Sequence, residues 1–284
     1  MALYLRPDSL DEALAALSAQ RLTVLAGGTD FYPARVGRPP DEDVLDVTAL
    51  TGLRGIRDAG DHWIIGAGVT WSDLIAAELP ACFDGLKAAA REVGGLQVQN
   101  AGTLVGNLCN ASPAADGLPN FLALDATVEL ASRAGTRSLP VADFVTGNRR
   151  TLCRPEELVT GLSIPKPAAG TASAFVKLGA RKYLVISIVM VALVIEPEGD
   201  RVGTARVAVG ACAPVARRLP MLEAALMGLP LDAALGGVVD ESQLRPALAP
   251  IDDVRASADY RWDAAQTALR RGLSELGAAL GGRP

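Results

Sequence analysis

LTVLAGGTD (residues 22–30) places a short apolar run directly before two glycines, a threonine and an aspartate. The apolar run predicts a strand, so AGGTD forms the loop at which that strand ends. Glycine allows a bound molecule to approach the backbone closely, and successive backbone N–H groups in such a loop can bind a phosphate. The Thr29 hydroxyl adds a donor, and Asp30 can accept hydrogen bonds that order the loop. A simple tight turn is the alternative interpretation.

NAGTLVGNLCNASPAAD (residues 100–116) is a second segment dominated by small and hydrogen-bonding side chains. Its glycines and hydrogen-bonding residues are Gly102, Thr103, Gly106, Asn107, Asn110 and Ser112. Residues 96–116 show no helical or strand period, which predicts a long loop, and such a loop in a compact domain is usually functional or disordered. The absence of charge before Asp116 favours an ordered loop. Two loops of this kind predict a diphosphate held between them.

GAGVTW (residues 66–71) begins like a dinucleotide-binding turn, because it follows a predicted strand and precedes a predicted helix. Trp71 stands where the third glycine of that motif would allow close contact between helix and strand. The segment is therefore interpreted as a structural turn, with Ser72 or Asp73 as the cap of the following helix.

Composition and charge exclude several classes of function. The chain has 284 residues with a formal net charge of −5 and no basic cluster, which argues against nucleic-acid binding. The N-terminus lacks the pattern of a signal peptide. The longest apolar stretch, residues 184–195, is too short to span a bilayer and predicts a buried strand. We therefore expect a cytoplasmic protein without a membrane span.

The metal-binding and nucleophilic residue types are sparse. Cysteines 82, 109, 153 and 212 are far apart and form no CxxC pair, which favours free buried thiols. With His62 as the single histidine, a zinc or iron–sulfur site within this chain is not expected. We therefore predict no metal site, and because His62 has no nucleophile motif beside it, a hydrolase triad is not expected either.

The pattern of elements changes near residues 164–171, where two prolines and a glycine interrupt all periodicity. Before this point strands and helices alternate. After it, two long strands flank the turn EPEGD (residues 196–200), and the chain ends in a helix with a leucine stripe. The sequence predicts an α+β protein whose second part is an antiparallel sheet covered by helices.

AGGTD, TLVGNLCNASPAAD, LSIPKP and FVKLGARK in this order resemble the flavin subunit, or medium subunit, of the molybdenum hydroxylases. This is the family of xanthine dehydrogenase and the aerobic carbon monoxide dehydrogenases, and the resemblance covers essentially the whole chain. It implies a two-part FAD-binding domain of the vanillyl-alcohol oxidase and p-cresol methylhydroxylase type in residues 1–167. The family's C-terminal domain would then occupy residues 168–284.

The resemblance also implies FAD contacts at matched positions. The first FAD loop, which wraps the diphosphate, is matched by Ala26, Gly27, Gly28, Thr29 and Asp30. The second FAD loop is matched by Thr103, Leu104, Val105, Gly106 and Asn107. Val105 departs from the family, which usually has glycine there. A β-branched residue would be strained at positive φ, unless this position has an ordinary backbone conformation.

Three further positions follow from the same resemblance. Asp116 matches an acidic residue near the adenosine part of FAD, and Val159 matches a backbone contact to the flavin. Lys177 matches a lysine near the isoalloxazine ring, where a positive charge can stabilise an anionic reduced flavin. A solvated strand lysine is the alternative for Lys177.

The function that the resemblance implies is electron transfer within a larger enzyme. This chain would hold FAD non-covalently, a large partner subunit the molybdenum cofactor, and a small partner subunit two [2Fe–2S] clusters. Electrons would leave for NAD, oxygen, a quinone or another carrier, and the complex would be a dimer of heterotrimers, that is, a heterohexamer. A stand-alone flavin oxidase and a non-catalytic nucleotide-binding protein are the alternatives.

Overall fold

The computed structural model describes residues 2–37 and 41–282, and the chain begins with a small parallel sheet. Its elements are β1 (Tyr4–Leu5), α1 (Leu10–Ala19), β2 (Thr23–Leu25) and β3 (Val44–Asp46). The strand order is β1–β3–β2. The Ser9 hydroxyl accepts the N–H of Glu12 at 3.3 Å, which caps α1, and Leu14 and Leu17 are buried. The strand predicted before AGGTD is confirmed, because β2 ends at Leu25.

A larger antiparallel sheet with helices follows. Its elements are β4 (Ile56–Asp58), β5 (His62–Gly66), α2 (Trp71–Ala76), α3 (Asp84–Glu92), α4 (Leu96–Ala101), α5 (Leu104–Asn110), α6 (Gly117–Ala123), β6 (Thr127–Ser132), β7 (Gly135–Pro140), α7 (Val141–Phe144), β8 (Val145–Gly147), β9 (Arg150–Thr151) and β10 (Leu158–Pro165). The strand order is β4–β5–β10–β6–β7, and β8 and β9 form a separate hairpin. Ile65, Val128 and Leu162 bury one face of this sheet against the helices.

Residues 96–116, predicted as a loop, are largely helical, so that prediction was wrong. The side chain of Thr103 accepts the N–H of Gly106 at 2.9 Å and thereby starts α5. Ala111, at φ 48°, ends it in the left-handed conformation. Helices of six and seven residues are too short to show an apolar period, and their small polar residues are typical of loops. The sequence pattern therefore did not indicate these helices.

The predicted turn at residues 66–71 connects β5 to α2, but the cap of α2 differs from the predicted one. The Thr70 hydroxyl accepts the N–H of Asp73 at 3.1 Å, and the Asp73 carboxylate accepts the N–H of Thr70 at 2.9 Å. Thr70, rather than Ser72 or Asp73, is therefore the cap of α2. Trp71 is 1% exposed and belongs to the core.

The C-terminal part is a second antiparallel sheet covered by helices. Its elements are β11 (Ala172–Leu178), β12 (Val189–Glu198), β13 (Arg201–Gly210), β14 (Arg217–Arg218), α8 (Pro220–Leu226), α9 (Glu241–Leu244) and α10 (Ala258–Gly281). The strand order is β11–β12–β13–β14, and the leucine stripe of α10, including Leu269 and Leu273, lies in the core that covers this sheet. The predicted α+β class with a C-terminal antiparallel sheet and helices is confirmed.

The strand predicted over residues 184–195 begins only at Val189, because residues 184–188 are irregular. Leu184 has φ 50°, a left-handed conformation that does not fit a strand. The same stretch carries Ser187, whose hydroxyl has a partner in the N-terminal part of the chain.

The two parts of the chain are packed together through α6. The guanidinium groups of Arg206 and Arg218 donate to the carbonyls of Ala123 and Leu122 at 2.8 and 3.1 Å, which caps the C-terminal end of α6. Ala192, Val194 and Ala208, on β12 and β13, belong to the N-terminal core. Within residues 2–37 and 41–282, no helix combines the length and apolar composition that crossing a membrane requires.

Candidate functional site

The AGGTD loop and the N-terminal half of α5 line one cavity of about 1070 Å³. The segment between α5 and α6 and the irregular residues 184–186 complete its wall. Small-molecule pockets usually have volumes of about 300–1,000 Å³, so this cavity can take a ligand as large as a dinucleotide. Two segments that are distant in sequence, the AGGTD loop and α5, therefore meet at one cavity.

The two glycines of AGGTD are required by the geometry of this meeting. A Cβ atom on Gly27 would lie 1.9 Å from the carbonyl oxygen of Ala101, at the end of α4. Gly28 has φ 68°, and a Cβ atom there would lie 2.7 Å from the ring of Tyr32. Glycine is therefore required at position 27, where the clash is with backbone, and at position 28 it avoids a strained backbone conformation.

Unpaired backbone N–H groups line this part of the cavity. Within residues 2–37 and 41–282, the N–H groups of Gly27, Gly28, Thr29 and Asp30 donate no hydrogen bond to the protein. The N–H of Val105, in the first turn of α5, is likewise unpaired among these residues. A set of backbone donors around one concavity fits the diphosphate of a dinucleotide.

Arg149 joins the AGGTD loop to α5, although no sequence pattern predicted it. Its Nη1 donates to a carboxylate oxygen of Asp30 at 2.9 Å and to the side-chain oxygen of Asn110 at 2.6 Å. Arg149 lies in the turn of the β8–β9 hairpin at φ 53°. No sequence motif marks this turn, because its two partners are brought to it only by folding. Asp30 thus orders the loop through a guanidinium group rather than through backbone N–H groups.

Asp116 and Lys177 form a buried ion pair beside the cavity. Lys177 Nζ lies 2.7 Å from a carboxylate oxygen of Asp116, and their side chains are 3% and 10% exposed. The other carboxylate oxygen accepts the Ser187 hydroxyl at 2.6 Å. Burial raises the pKa of the Asp116 carboxyl, while Lys177 and Ser187 act in the opposite direction.

The two members of this ion pair were expected at different parts of FAD. The resemblance implied that Asp116 lies near the adenosine part and Lys177 near the isoalloxazine ring, whereas the structure brings the two side chains into direct contact. Asp116 lines the cavity, whereas Lys177 lies behind it and also donates to the Glu92 carbonyl at 3.1 Å.

Of the remaining predicted positions, all but one line the cavity. Ala26, Thr103, Gly106, Asn107 and Val159 line the cavity, together with the loop residues described above. Leu104 does not line it, because its side chain is fully buried in the core. The residues that line the cavity but were not identified from sequence include Arg35, Cys109, Cys153, Glu157 and Arg255.

The prediction of four buried thiols holds for two of them. Cys82 and Cys212 are buried, whereas Cys109 is exposed and Cys153 is half-buried.

Val105 fits its position without strain. It lies within α5 rather than at positive φ, and its side chain is 5% exposed in the N-terminal core. The glycine that the family usually has here is therefore not needed for the backbone path. What Val105 offers the cavity is its unpaired N–H group.

A Val105→Ala variant is expected to lose stability while keeping its ligand affinity. Removing two buried carbon atoms lowers the free energy of unfolding by about 1.5–2.5 kcal/mol, whereas the backbone N–H is retained. Urea denaturation and titration with FAD measure the two quantities, with Val254→Ala as an exposed control. A large loss of FAD affinity in Val105→Ala would contradict a backbone role for this residue.

Comparisons with known proteins identify the family of this chain. A family model described as the FAD binding domain in molybdopterin dehydrogenase matches residues 1–167. A second, described as the CO dehydrogenase flavoprotein C-terminal domain, matches residues 174–276. The chain is 31% identical to the xanthine dehydrogenase FAD-binding subunit of Escherichia coli O157:H7 over 290 residues, which cover 99% of this chain and 97% of that relative.

Solved structures of similar fold lead to the same family. A chain of carbon monoxide dehydrogenase from Hydrogenophaga pseudoflava matches with a TM-score of 0.88 and 30% identity over 98% of both chains. A chain of quinoline 2-oxidoreductase from Pseudomonas putida 86 matches with a TM-score of 0.89 and 26% identity, over 99% of this chain and 98% of that chain. The protein therefore belongs to the FAD-binding, or medium, subunits of the molybdopterin dehydrogenases, and it is an oxidoreductase subunit.

Proposed function

We propose that this chain binds FAD non-covalently in the cavity and acts as the electron-transfer subunit of a molybdenum hydroxylase. The observation that carries the proposal is the set of unpaired backbone N–H groups where the AGGTD loop meets α5. These donors suit a diphosphate, and the family to which the chain belongs binds FAD. The division into residues 1–167 for FAD binding and 168–284 for the C-terminal domain remains part of this proposal.

The chain's own residues would hold and orient the cofactor. Gly27, Gly28 and Thr29 would donate to the diphosphate, and Val105 would add a donor from the opposite side. Asp116, held by Lys177, would accept a hydrogen bond at the cavity wall. Val159 contributes a wall residue on β10. FAD, when bound, supplies the conversion between one-electron input and one- or two-electron output.

An electron-transfer subunit also needs partners. We place the molybdenum cofactor in a large partner subunit and the [2Fe–2S] clusters in a small one, in a cytoplasmic dimer of heterotrimers. Leu184 and Ile186, 57% and 54% exposed beside the cavity, support a partner contact there. The terminal acceptor would be NAD, oxygen, a quinone or another carrier.

The test is native purification of the chain with everything that accompanies it. The expected preparation contains flavin that is released as FAD, iron–sulfur absorbance, and two further chains. Flavin release followed by mass analysis identifies the cofactor, and gel electrophoresis identifies the chains. FAD on this chain alone, reduced directly by a small molecule, would instead support the stand-alone oxidase. A native preparation without flavin would contradict the proposal.

A further inference from the structure

Arg255 reaches the cavity from the C-terminal part of the chain, on the irregular segment between α9 and α10. Its side chain is 39% exposed and lines the same cavity as the AGGTD loop. No sequence motif marks it. A guanidinium group at the wall of a cavity suited to a diphosphate has the charge and the paired N–H donors that recognise a phosphate.

Asp253 holds Arg255 in a fixed orientation. Arg255 Nη1 donates to one carboxylate oxygen of Asp253 at 2.7 Å, and its backbone N–H donates to the other at 2.8 Å. Burial acts to raise the pKa of the Asp253 carboxyl, but hydrogen bonds from Arg255 and Arg261 outweigh it and lower the pKa to about 2. Among residues 2–37 and 41–282, Nε and Nη2 of Arg255 have no acceptor, so these donors remain available.

Arg261 fixes this arrangement to the start of β12 and the end of β13. Its side chain is 3% exposed, and Nη2 donates to Asp253 at 2.7 Å. Nη1 donates to the carbonyls of Ile188 and Ala211 at 2.6 and 3.1 Å. Ile188 follows the cavity-lining residues Leu184–Ile186 and is adjacent to Ser187, the partner of Asp116. One aspartate thus pairs with two arginines, which leaves a net positive charge.

We propose that Arg255, positioned by Asp253 and the buried Arg261, is a phosphate-binding residue of this cavity. The phosphate is either the diphosphate of FAD itself or that of a nucleotide acceptor that approaches the FAD-loaded chain. The inference rests on the proposed function, because it assumes that the cavity is the FAD site. It adds a contribution of the C-terminal domain to ligand recognition, which the glycine loops alone do not provide.

The first titration measures FAD binding to the flavin-free full-length chain by quenching of flavin fluorescence. If Arg255 binds the diphosphate of FAD, Arg255→Gln weakens FAD binding roughly 10- to 100-fold, the usual effect of losing a hydrogen bond to a charged group. The loss is smaller in Arg255→Lys, which retains the charge but not the fork. Arg271→Gln, an exposed arginine of α10 paired with Glu275, is the matched control.

The second titration measures binding of ADP, as a diphosphate probe, to the FAD-loaded chain by calorimetry. If Arg255 binds an incoming nucleotide, FAD affinity is retained in Arg255→Gln, and ADP binding falls roughly 10- to 100-fold. In either case, the affinity for the ligand that Arg255 binds, FAD or ADP, decreases as ionic strength rises in the wild type. The decrease is less steep in Arg255→Gln. A residue with a merely structural role would not change that salt dependence.

The outcomes separate this inference from the proposed function. An Arg255→Gln chain that matches the wild type in both titrations overturns the role of Arg255 and leaves FAD binding intact. A wild-type chain that binds no FAD overturns the proposed function and this inference with it. Far-UV circular dichroism confirms that each variant is folded before it is titrated.

Discussion

A Gly27→Ala variant is expected to lose FAD binding almost completely while its two hydrophobic cores remain folded. A Cβ atom at this position would lie 1.9 Å from the carbonyl oxygen of Ala101, so the AGGTD loop or the end of α4 must shift. The clash is between two backbone segments, which no side-chain rotation relieves. The shift moves the N–H groups of Gly27, Gly28 and Thr29 away from their common focus.

The expected loss of affinity is large because several donors act on one diphosphate. Each hydrogen bond to a charged group contributes about 1.5–3 kcal/mol, so losing two of them weakens FAD binding by more than about 100-fold. Fluorescence titration of the flavin-free chain with FAD measures this. Gly52→Ala is the control, because a Cβ atom there meets nothing within 4 Å and its φ is not in the left-handed region. Unchanged FAD affinity in Gly27→Ala would place the diphosphate elsewhere.

Asp116→Asn is expected to lower the free energy of unfolding of the flavin-free chain by about 3–5 kcal/mol, the usual effect of removing one partner of a buried ion pair. The ammonium group of Lys177, whose side chain is 3% exposed, would lose the carboxylate to which it is hydrogen-bonded, and the half-buried Glu92 carboxylate interacts with it only through space. The remaining hydrogen-bond partner of Lys177 is the carbonyl of Glu92, which does not neutralise it. The variant also loses a link between β11 and the segment before α6.

Urea denaturation tests this prediction as a double-mutant cycle of the wild type, Asp116→Asn, Lys177→Met and the double variant. The double variant Asp116→Asn/Lys177→Met is expected to be more stable than Asp116→Asn, because the unpaired charge has been removed. Glu275→Gln, which breaks the exposed pair with Arg271 on α10, should change stability by less than about 1 kcal/mol. If Asp116→Asn had as small an effect as this control, the Asp116–Lys177 pair would not be a buried ion pair in solution.

Much of the fold could be predicted from the sequence, because many of its elements depend only on residues that are close together in the chain. The strand that ends at AGGTD, the pair of long strands joined by a turn, and the leucine stripe of α10 each depend on neighbouring residues. Hydrophobic periodicity and glycine conformation act over a few residues, so they are visible in sequence. The two glycine-containing segments of the site were identified on the same basis. The helices in residues 96–116 were missed because they are too short to show a period.

Long-range partners of the site could not be predicted in this way. Asp30 and Arg149 are 119 residues apart, and Asp116 and Lys177 are 61 residues apart. Arg255 enters the cavity from a segment without any motif. A charged side chain carries no local signal of its partner, because an ion pair depends on where the packed cores bring two distant segments. The sequence therefore identified the two glycine-containing segments, while the packing of the two parts of the chain through α3 and α6 determined which charged groups surround them.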